Sequence, residues 1–351
     1  MANGTTTTCT NNIVVFAIIA LYESTIENLE TQIEAHNNSF DQLTIAMTNE
    51  QADEYADSIG FDEDKPLTDF ENQYNFCSLR KKINTLESQW LEQQGDGNWN
   101  LEYNPDSYYV DDDVERTLLN EQSEVLIGTC ETGYILYKFY NWGHIQLPLS
   151  NLTDLTNVLT QLNNGNYPLV LPINIYGSSL NTVTQILNNS PYDCSAQPLV
   201  ECPTVIYTEP TNSPANSCQD KIKEKGENIF NSGRRILWKH KFIKLSNFIT
   251  GGKVTRIKSV TKSFKKKNGK WKKFRTSIAA GVTGAAYEDC TGEKAINEEK
   301  QKRRKRVKIK VELAEPVSQY SQYQKNKVRP NSLFSIHKQE SNVYQKEIYQ
   351  Y

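Results

Sequence analysis

The chain has 351 residues, with 37% hydrophobic and 10% aromatic side chains, which is enough apolar surface to build cores and excludes wholesale disorder. Its net charge of -3 hides a division: residues 1–220 hold 6 Lys and Arg against 31 Asp and Glu, and residues 221–351 hold 33 against 11. A length of this order accommodates two or three domains, and the change of charge sign near residue 220 marks the expected boundary.

In chain order, the first apolar run is Ile13–Leu21. Nine residues span only about 14 Å of helix against about 30 Å of hydrocarbon core, so a transmembrane helix is excluded for this run. It reads either as a buried strand leading into a helix or as the remnant of a signal segment. The stretch from Tyr22 to His36 then carries Ile26, Leu29 and Ile33 at helical spacing, and Leu79, Ile83, Leu86 and Trp90 repeat the pattern with Arg80, Lys81 and Lys82 on the wet side. Phe70 and Trp90 are expected in the core of this acidic half.

Asp96, Asn98 and Asn100 are spaced like the first ligands of a calcium loop. The sixth position lacks glycine and Ser107 stands where the bidentate glutamate belongs, so Asp96–Asp106 reads better as a polar surface loop. Asp111–Asn120 is expected to be a short helix with carboxylates at its start. The period then changes: EVLIG, YILYKFY and HIQLPL, separated by Gly128, Gly133 and Gly143, suggest a small antiparallel meander. Leu152, Leu155, Val158, Leu159 and Leu162 make one more helix. From Asn188 to Asp220 five prolines and three cysteines indicate a linker, with a short strand possible at Thr204–Thr208 and Cys194–Cys202 as the first-ranked disulfide. Seven cysteines, an odd number, fit an oxidising compartment with some pairs and a spare.

The basic half reads as all-β. Asn268-Gly269 between two β-compatible runs signals a hairpin in SFKKKNGKWKKFR. A three-residue loop, Lys267-Asn268-Gly269, gathers Val260, Phe264, Phe274 and Ile278 on one face and is the preferred register; a two-residue loop splits them. The outer face then carries Lys265, Lys267, Lys273 and Arg275 around Trp271, a candidate site for an anionic ligand through charge and stacking. Val307, Ile309, Val311 and Leu313 alternate with Arg306, Lys308, Lys310 and Glu312, the pattern of a strand that is apolar inward and basic outward. Arg234–Ile243 and Lys253–Val260 are further strands, giving a sandwich or small barrel of about six or seven strands.

The expected fold is therefore an α+β domain of helices and a small antiparallel meander (1–187), a linker (188–220), and an all-β sandwich or barrel domain (221–351). FENQYNFCSLRKKINTLESQWLE, PDSYYVDDDVERTLLNEQSEVLIG, YILYKF and KKKNGKWKKFRTSIAAGVTG together resemble uncharacterised secreted proteins and lipoproteins of Bacteroidetes-type bacteria, over Tyr22–Ile145 and Gly252–Leu313. The resemblance implies an extracytoplasmic location and two domains, and carries no catalytic residue.

No nucleophile elbow, H-E-x-x-H, Walker loop or dinucleotide glycine pattern is present, no C-x-x-C suggests zinc, and no cofactor is expected. Asp111, Asp112 and Asp113 are consecutive and do not face one another as paired carboxylates would. The leading expectation is a non-enzymatic secreted or surface protein that binds an anionic polymer or surface, whether glycan, lipid headgroup or extracellular nucleic acid. The alternative is a structural protein whose acidic and basic halves dock within or between chains. A hydrolase with a site assembled from distant residues is the lesser alternative.

Overall fold

The computed structural model describes residues 7–10, 12–105, 110–129, 133–139, 143–163, 174–177, 218–231, 233–246, 253–288, 292–314 and 326–350. The expected linker, its Thr204–Thr208 strand and the Cys194–Cys202 pair lie outside the described residues, apart from positions 218–220. Cys218 is disulfide-bonded, and Cys77 is a free thiol.

The chain forms two compact units, each assembled from three stretches. The first comprises Met1–Leu43, Asp62–Gln93 and Glu102–Cys194; the second comprises Thr44–Phe61, Gln94–Leu101 and Ser195–Tyr351. This differs from a division at residues 187 and 221, because two stretches of the acidic half belong to the basic unit.

In chain order the elements of the first half are β1 (Thr7–Thr10), β2 (Ile13–Phe16), α1 (Ile19–Leu43), α2 (Asn49–Ile59), α3 (Lys65–Tyr74), α4 (Leu79–Glu92), α5 (Asp113–Thr117), β3 (Glu124–Gly128), β4 (Tyr134–Phe139), β5 (Gly143–Leu149), α6 (Leu155–Asn163) and β6 (Asn174–Gly177). All but α2 belong to the first unit, whose six strands follow sequence order in one sheet. Only β2 and β3 pair in parallel; the other neighbours are antiparallel, so the expected meander is present within a larger sheet. The apolar run starting at Ile13 is the buried strand β2, followed directly by α1.

Strand alternation sends side chains to two separate cores. Val14, Phe16, Val125, Ile127 and Tyr137 meet Leu29, Leu67, Leu79, Ile83 and Val114 from the helices on one face. Ile13, Val15, Leu126, Leu136, Ile145 and Leu147 meet Leu155 and Val158 of α6 on the other. Trp90 is buried, and Phe70 packs on the first of these cores. Ser78 caps α4 by accepting from the Lys81 N–H at 3.0 Å, and Asp112 caps α5 by accepting from the Val114 N–H at 3.0 Å. The acidic triplet is thus a helix start.

The second unit contains β7 (Ile222–Asn231), β8 (Arg234–Ser246), β9 (Lys253–Lys267), β10 (Lys270–Lys273), β11 (Thr276–Glu288), β12 (Gly292–Arg304), β13 (Arg306–Ala314), β14 (Asn326–Lys327), β15 (Leu333–Gln339) and β16 (Asn342–Glu347). They make two five-stranded antiparallel sheets: β10-β9-β8-β7 with β13 also on β9, and β12-β11-β15-β16 with β14 also on β11. A sandwich of ten described strands replaces the expected six or seven. The chain changes sheet twice without a long connection, at Phe274-Arg275 between β10 and β11 and at Lys305 between β12 and β13.

That change of sheet corrects the hairpin register. Lys267 pairs with Lys270 and Lys266 with Trp271, so the loop is the two-residue Asn268-Gly269 turn, with φ of 53° and 77°. Val260, Phe264, Phe274 and Ile278 are all buried nonetheless. The last two lie past the point where the chain leaves the first sheet, so they need no common face with the first two. Val307 is buried, and Ile309, Val311 and Leu313 pack against the interior, as their alternation requires.

Within β7, Gly226 makes room for an indole. A Cβ built there would stand 2.3 Å from Trp238 Cζ2 and 2.6 Å from Cε2, whereas at Gly95 it would meet nothing within 4 Å. Gly226→Ala is expected to lose about 1–3 kcal/mol as Trp238 is pushed from its rotamer. Gly95→Ala should stay within about 1 kcal/mol of the parent, as a change at an open surface position. Urea denaturation of the two variants checks the contrast.

Candidate functional site: the basic hairpin and its acidic cover

The residues expected to form an outward basic face are instead largely enclosed within the second unit. Lys265 has 7% of its surface exposed and its Nζ lies 2.6 Å from Asp53 Oδ2, with the ammonium over the Phe274 ring at 4.4 Å. Arg275 has no exposed surface; its backbone N–H donates to Asp53 Oδ1 at 2.9 Å and its guanidinium lies 5.1 Å from the Phe61 ring centre. Lys267 is at the rim, 3.9 Å from Asp57 Oδ2, and Lys273 is half-buried. Trp271 is 5% exposed, which corrects the expectation of a stacking surface.

Two pieces of the acidic half do this covering. The first is α2, held at its start by a capping box between Thr48 and Gln51 and closed by Gly60 in the left-handed conformation. One side of the helix sends Asp53 to Lys265 and Asp57 towards Lys267, while Glu50 pairs with Arg234. Just before α2, the Thr44 carbonyl accepts from Arg303 Nη1 at 3.0 Å.

The second piece is the loop Gly95–Trp99. The Gly95 carbonyl accepts from Trp271 Nε1 and from Trp99 Nε1, each at 3.1 Å. The Asp96 and Gly97 carbonyls accept from Arg235 Nη2 and Nη1 at 2.9 and 3.0 Å. Trp99 is buried edge-on to Trp271 and Phe264, with ring centres 5.5 and 5.2 Å apart, and Arg235 lies over both indoles at 4.3 and 4.7 Å. Glu227 completes the set, accepting from the Trp99 N–H at 2.8 Å and from Arg235 at 2.9 Å. Asp96 accepts from Lys266 Nζ at 2.6 Å, and that hydrogen bond is the main reason its carboxyl titrates below the usual range. A lysine thus occupies the carboxylate that calcium would need, and the expected polar loop is an anchored one.

A second polar group lies inside the sandwich, and motif spacing gave no sign of it. His240 Nδ1 and His337 Nε2 each lie 3.0 Å from Ser335 Oγ, and His337 Nδ1 lies 2.9 Å from Thr261 Oγ1. Thr261 donates to the Ala279 carbonyl at 2.8 Å, which leaves its oxygen as an acceptor for His337 Nδ1–H, and Ser335 Oγ donates to the Lys346 carbonyl at 3.2 Å. Glu224 Oε2 lies 3.5 Å from His240 Nε2, while Glu224 Oε1 holds Lys346 Nζ at 2.9 Å. Trp238 stacks on His240 at 5.5 Å. Glu224, His240 and Ser335 follow one another as acid, imidazole and hydroxyl, but His240 and Ser335 have no exposed surface, and a serine nucleophile must reach its substrate. Period-2 alternation could have placed these residues inward; only the packing of β8 and β9 of one sheet against β15 of the other brings them together.

On the other face of the first sheet, Lys223, Lys241, Lys258 and Lys310 are successive cross-strand partners, a row of four lysines over β7, β8, β9 and β13. Among the described residues, no three His, Cys, Asp or Glu side chains group as a metal site, and no helix is long and apolar enough to cross a membrane.

No family model matches the chain. No curated protein matches it either. Among solved structures it is matched to a DUF4848 family protein from Bacteroides thetaiotaomicron at 10% identity, over 98% of this chain and 96% of that one, with a TM-score of 0.21.

Trp271→Ala is expected to cost about 3–5 kcal/mol, because the indole fills a closed site and its N–H serves a carbonyl. Lys270→Ala, one residue away and exposed, should stay within about 0.5 kcal/mol. The histidines supply a pH test. Burial lowers both His240 and His337 from 6.5 to about 3. The unfolded chain therefore binds protons first, and stability is complete above pH 6.5 and falls as the pH drops towards 3. The loss should be on the order of 1 kcal/mol per pH unit for each histidine. Urea midpoints measured through this window check it, and His337→Gln should flatten the profile.

Proposed function

We propose that this is a non-enzymatic structural protein whose opposite charges serve assembly, with acidic segments docking on the basic β-sandwich. The observation that carries the reading is the pairing of Asp53 with Lys265 at the centre of the hairpin, both nearly closed to solvent. Around it, Glu50, Asp57 and Asp96 meet Arg234, Lys267 and Lys266. The buried pair fixes position; the exposed ones add little stability each and favour the correct approach. An extracytoplasmic setting belongs to the proposal and is supported by the oxidised Cys218, since cytosolic thiols are kept reduced.

Contact with an anionic glycan, headgroup or nucleic acid is the second reading. Its support is the lysine row from Lys223 to Lys310, which sets four positive charges side by side on one face of the sheet. Lys241 and Lys258 in the middle of that row are buried, which weighs for the first reading.

Heparin chromatography separates the two. In the assembly reading, Asp53→Asn combined with Asp57→Asn and Asp96→Asn uncovers the hairpin, so the variant elutes at higher salt than the parent and melts lower. A control with Glu23, Glu27 and Glu92 changed to Gln carries the same net charge at exposed positions and should elute close to the parent. Equal retention of the parent and the triple Asp variant would overturn the assembly reading.

A further inference from the structure

The group around Arg235 has the construction of a peptide-binding site. On the sheet side, β7, β8, β9 and β10 supply Glu227, Arg235, Lys266 and Trp271. On the other side, three successive carbonyls of Gly95, Asp96 and Gly97 are each bound by a side-chain donor, and the next-but-one N–H, that of Trp99, is bound by a carboxylate. Only Trp99 is buried; Gly95, Asp96, Gly97 and Asn98 lie exposed over the site. Recognition through main-chain atoms with a single buried aromatic anchor is how short peptides are held. The arginine also requires an occupant: it has no exposed surface, and two of its hydrogen bonds and one of its two ring contacts come from the loop.

We propose that this clamp recognises a Gly-Asp-Gly-X-Trp peptide, taking the chain's own loop in cis and the same loop of a second copy in trans. The proposal rests on the assembly reading and narrows it to one partner and one site. The loop's own composition favours exchange. Neither Gly95 nor Gly97 has a heavy atom within 4 Å of where a Cβ would stand, so close packing does not demand glycine there. What the two glycines supply is backbone freedom between α4 and the anchor Trp99. In cis the loop is present at an effective concentration on the order of millimolar, so the intact chain fills its own site and exchange needs a vacated one.

The test uses the full-length Trp99→Ala chain, which lacks the anchor but keeps the site, and a synthetic peptide of residues 93–101. Fluorescence anisotropy of the dye-labelled peptide and the melting midpoint report binding. The peptide is expected to bind the Trp99→Ala chain and raise its midpoint, to bind the parent about tenfold more weakly or worse because the site is already filled, and to lose binding when its own tryptophan is replaced by alanine. Mixing the Trp99→Ala chain with an Arg235→Ala chain, which keeps the loop and lacks the site, should give a 1:1 heterodimer by light scattering. Should Trp99→Ala fail to fold, Trp99→Phe retains a ring in the site and serves the same comparison. Absence of peptide binding to whichever variant is folded overturns the proposal, and so does heparin binding by that variant without peptide binding, which would assign the site to a polyanion. The carboxylate variants at Asp53, Asp57 and Asp96 test the assembly reading without any peptide, so the two can fail separately.

Discussion

A guanidinium with no exposed surface depends on the groups around it, and in the second unit both terminal nitrogens of Arg235 are hydrogen-bonded while its Nε is not. Its hydrogen bonds require a carboxylate from the adjacent strand and carbonyls from outside the sheet. Its ring contacts come from Trp99 and Trp271, two indoles that meet edge-on with centres 5.5 Å apart and belong to opposite halves of the sequence. Burial works against its charge, while Glu227 and Asp96 work to retain it. Remove the loop and the arginine faces Glu227 and one indole alone; remove the arginine and two carbonyls and two rings lose their common partner. The dependence is mutual, which is how a short surface loop becomes part of a β-sandwich.

Alternating and helical periods made much of the fold legible. The strand Val307 to Leu313, the meander and the helix ending near Trp90 all follow from which residues need burial. The Asn-Gly turn was an equally local signal. What local signals could not reach were contacts of long sequence separation. Asp53 and Asp57 gave no signal, since α2 has only Ala52 and Ala56 as buried apolar side chains and an alanine face is a weak signature. Trp271 among lysines reads as an exposed aromatic until Trp99 is placed beside it. The hairpin register failed for a related reason: it assumed one strand from Lys270 to Ile278, whereas the chain leaves its sheet at Phe274.

The candidate residues therefore have surroundings that the sequence did not suggest. Lys265, Lys267, Trp271 and Arg275 do act on carboxylates and rings, but on those of this chain. The His240–Ser335–His337 group was hidden for another reason. Serine and histidine at inward positions of a strand weaken its hydrophobic pattern, so the residues that build a polar interior are those that make the strand harder to recognise.

Asp53 and Arg275, joined by a hydrogen bond, are 222 residues apart in the chain. On the ribosome, α2 and the Gly95 loop emerge long before the hairpin that receives them exists. Until then they are charged segments without their partners, and their carboxylates favour water. Closure of so long a loop comes late and slowly, with the sandwich edges open in the meantime. The order of the two halves along the chain thus also sets an order of events: the acidic segments come first, and the basic half arrives to find its counter-charges already made.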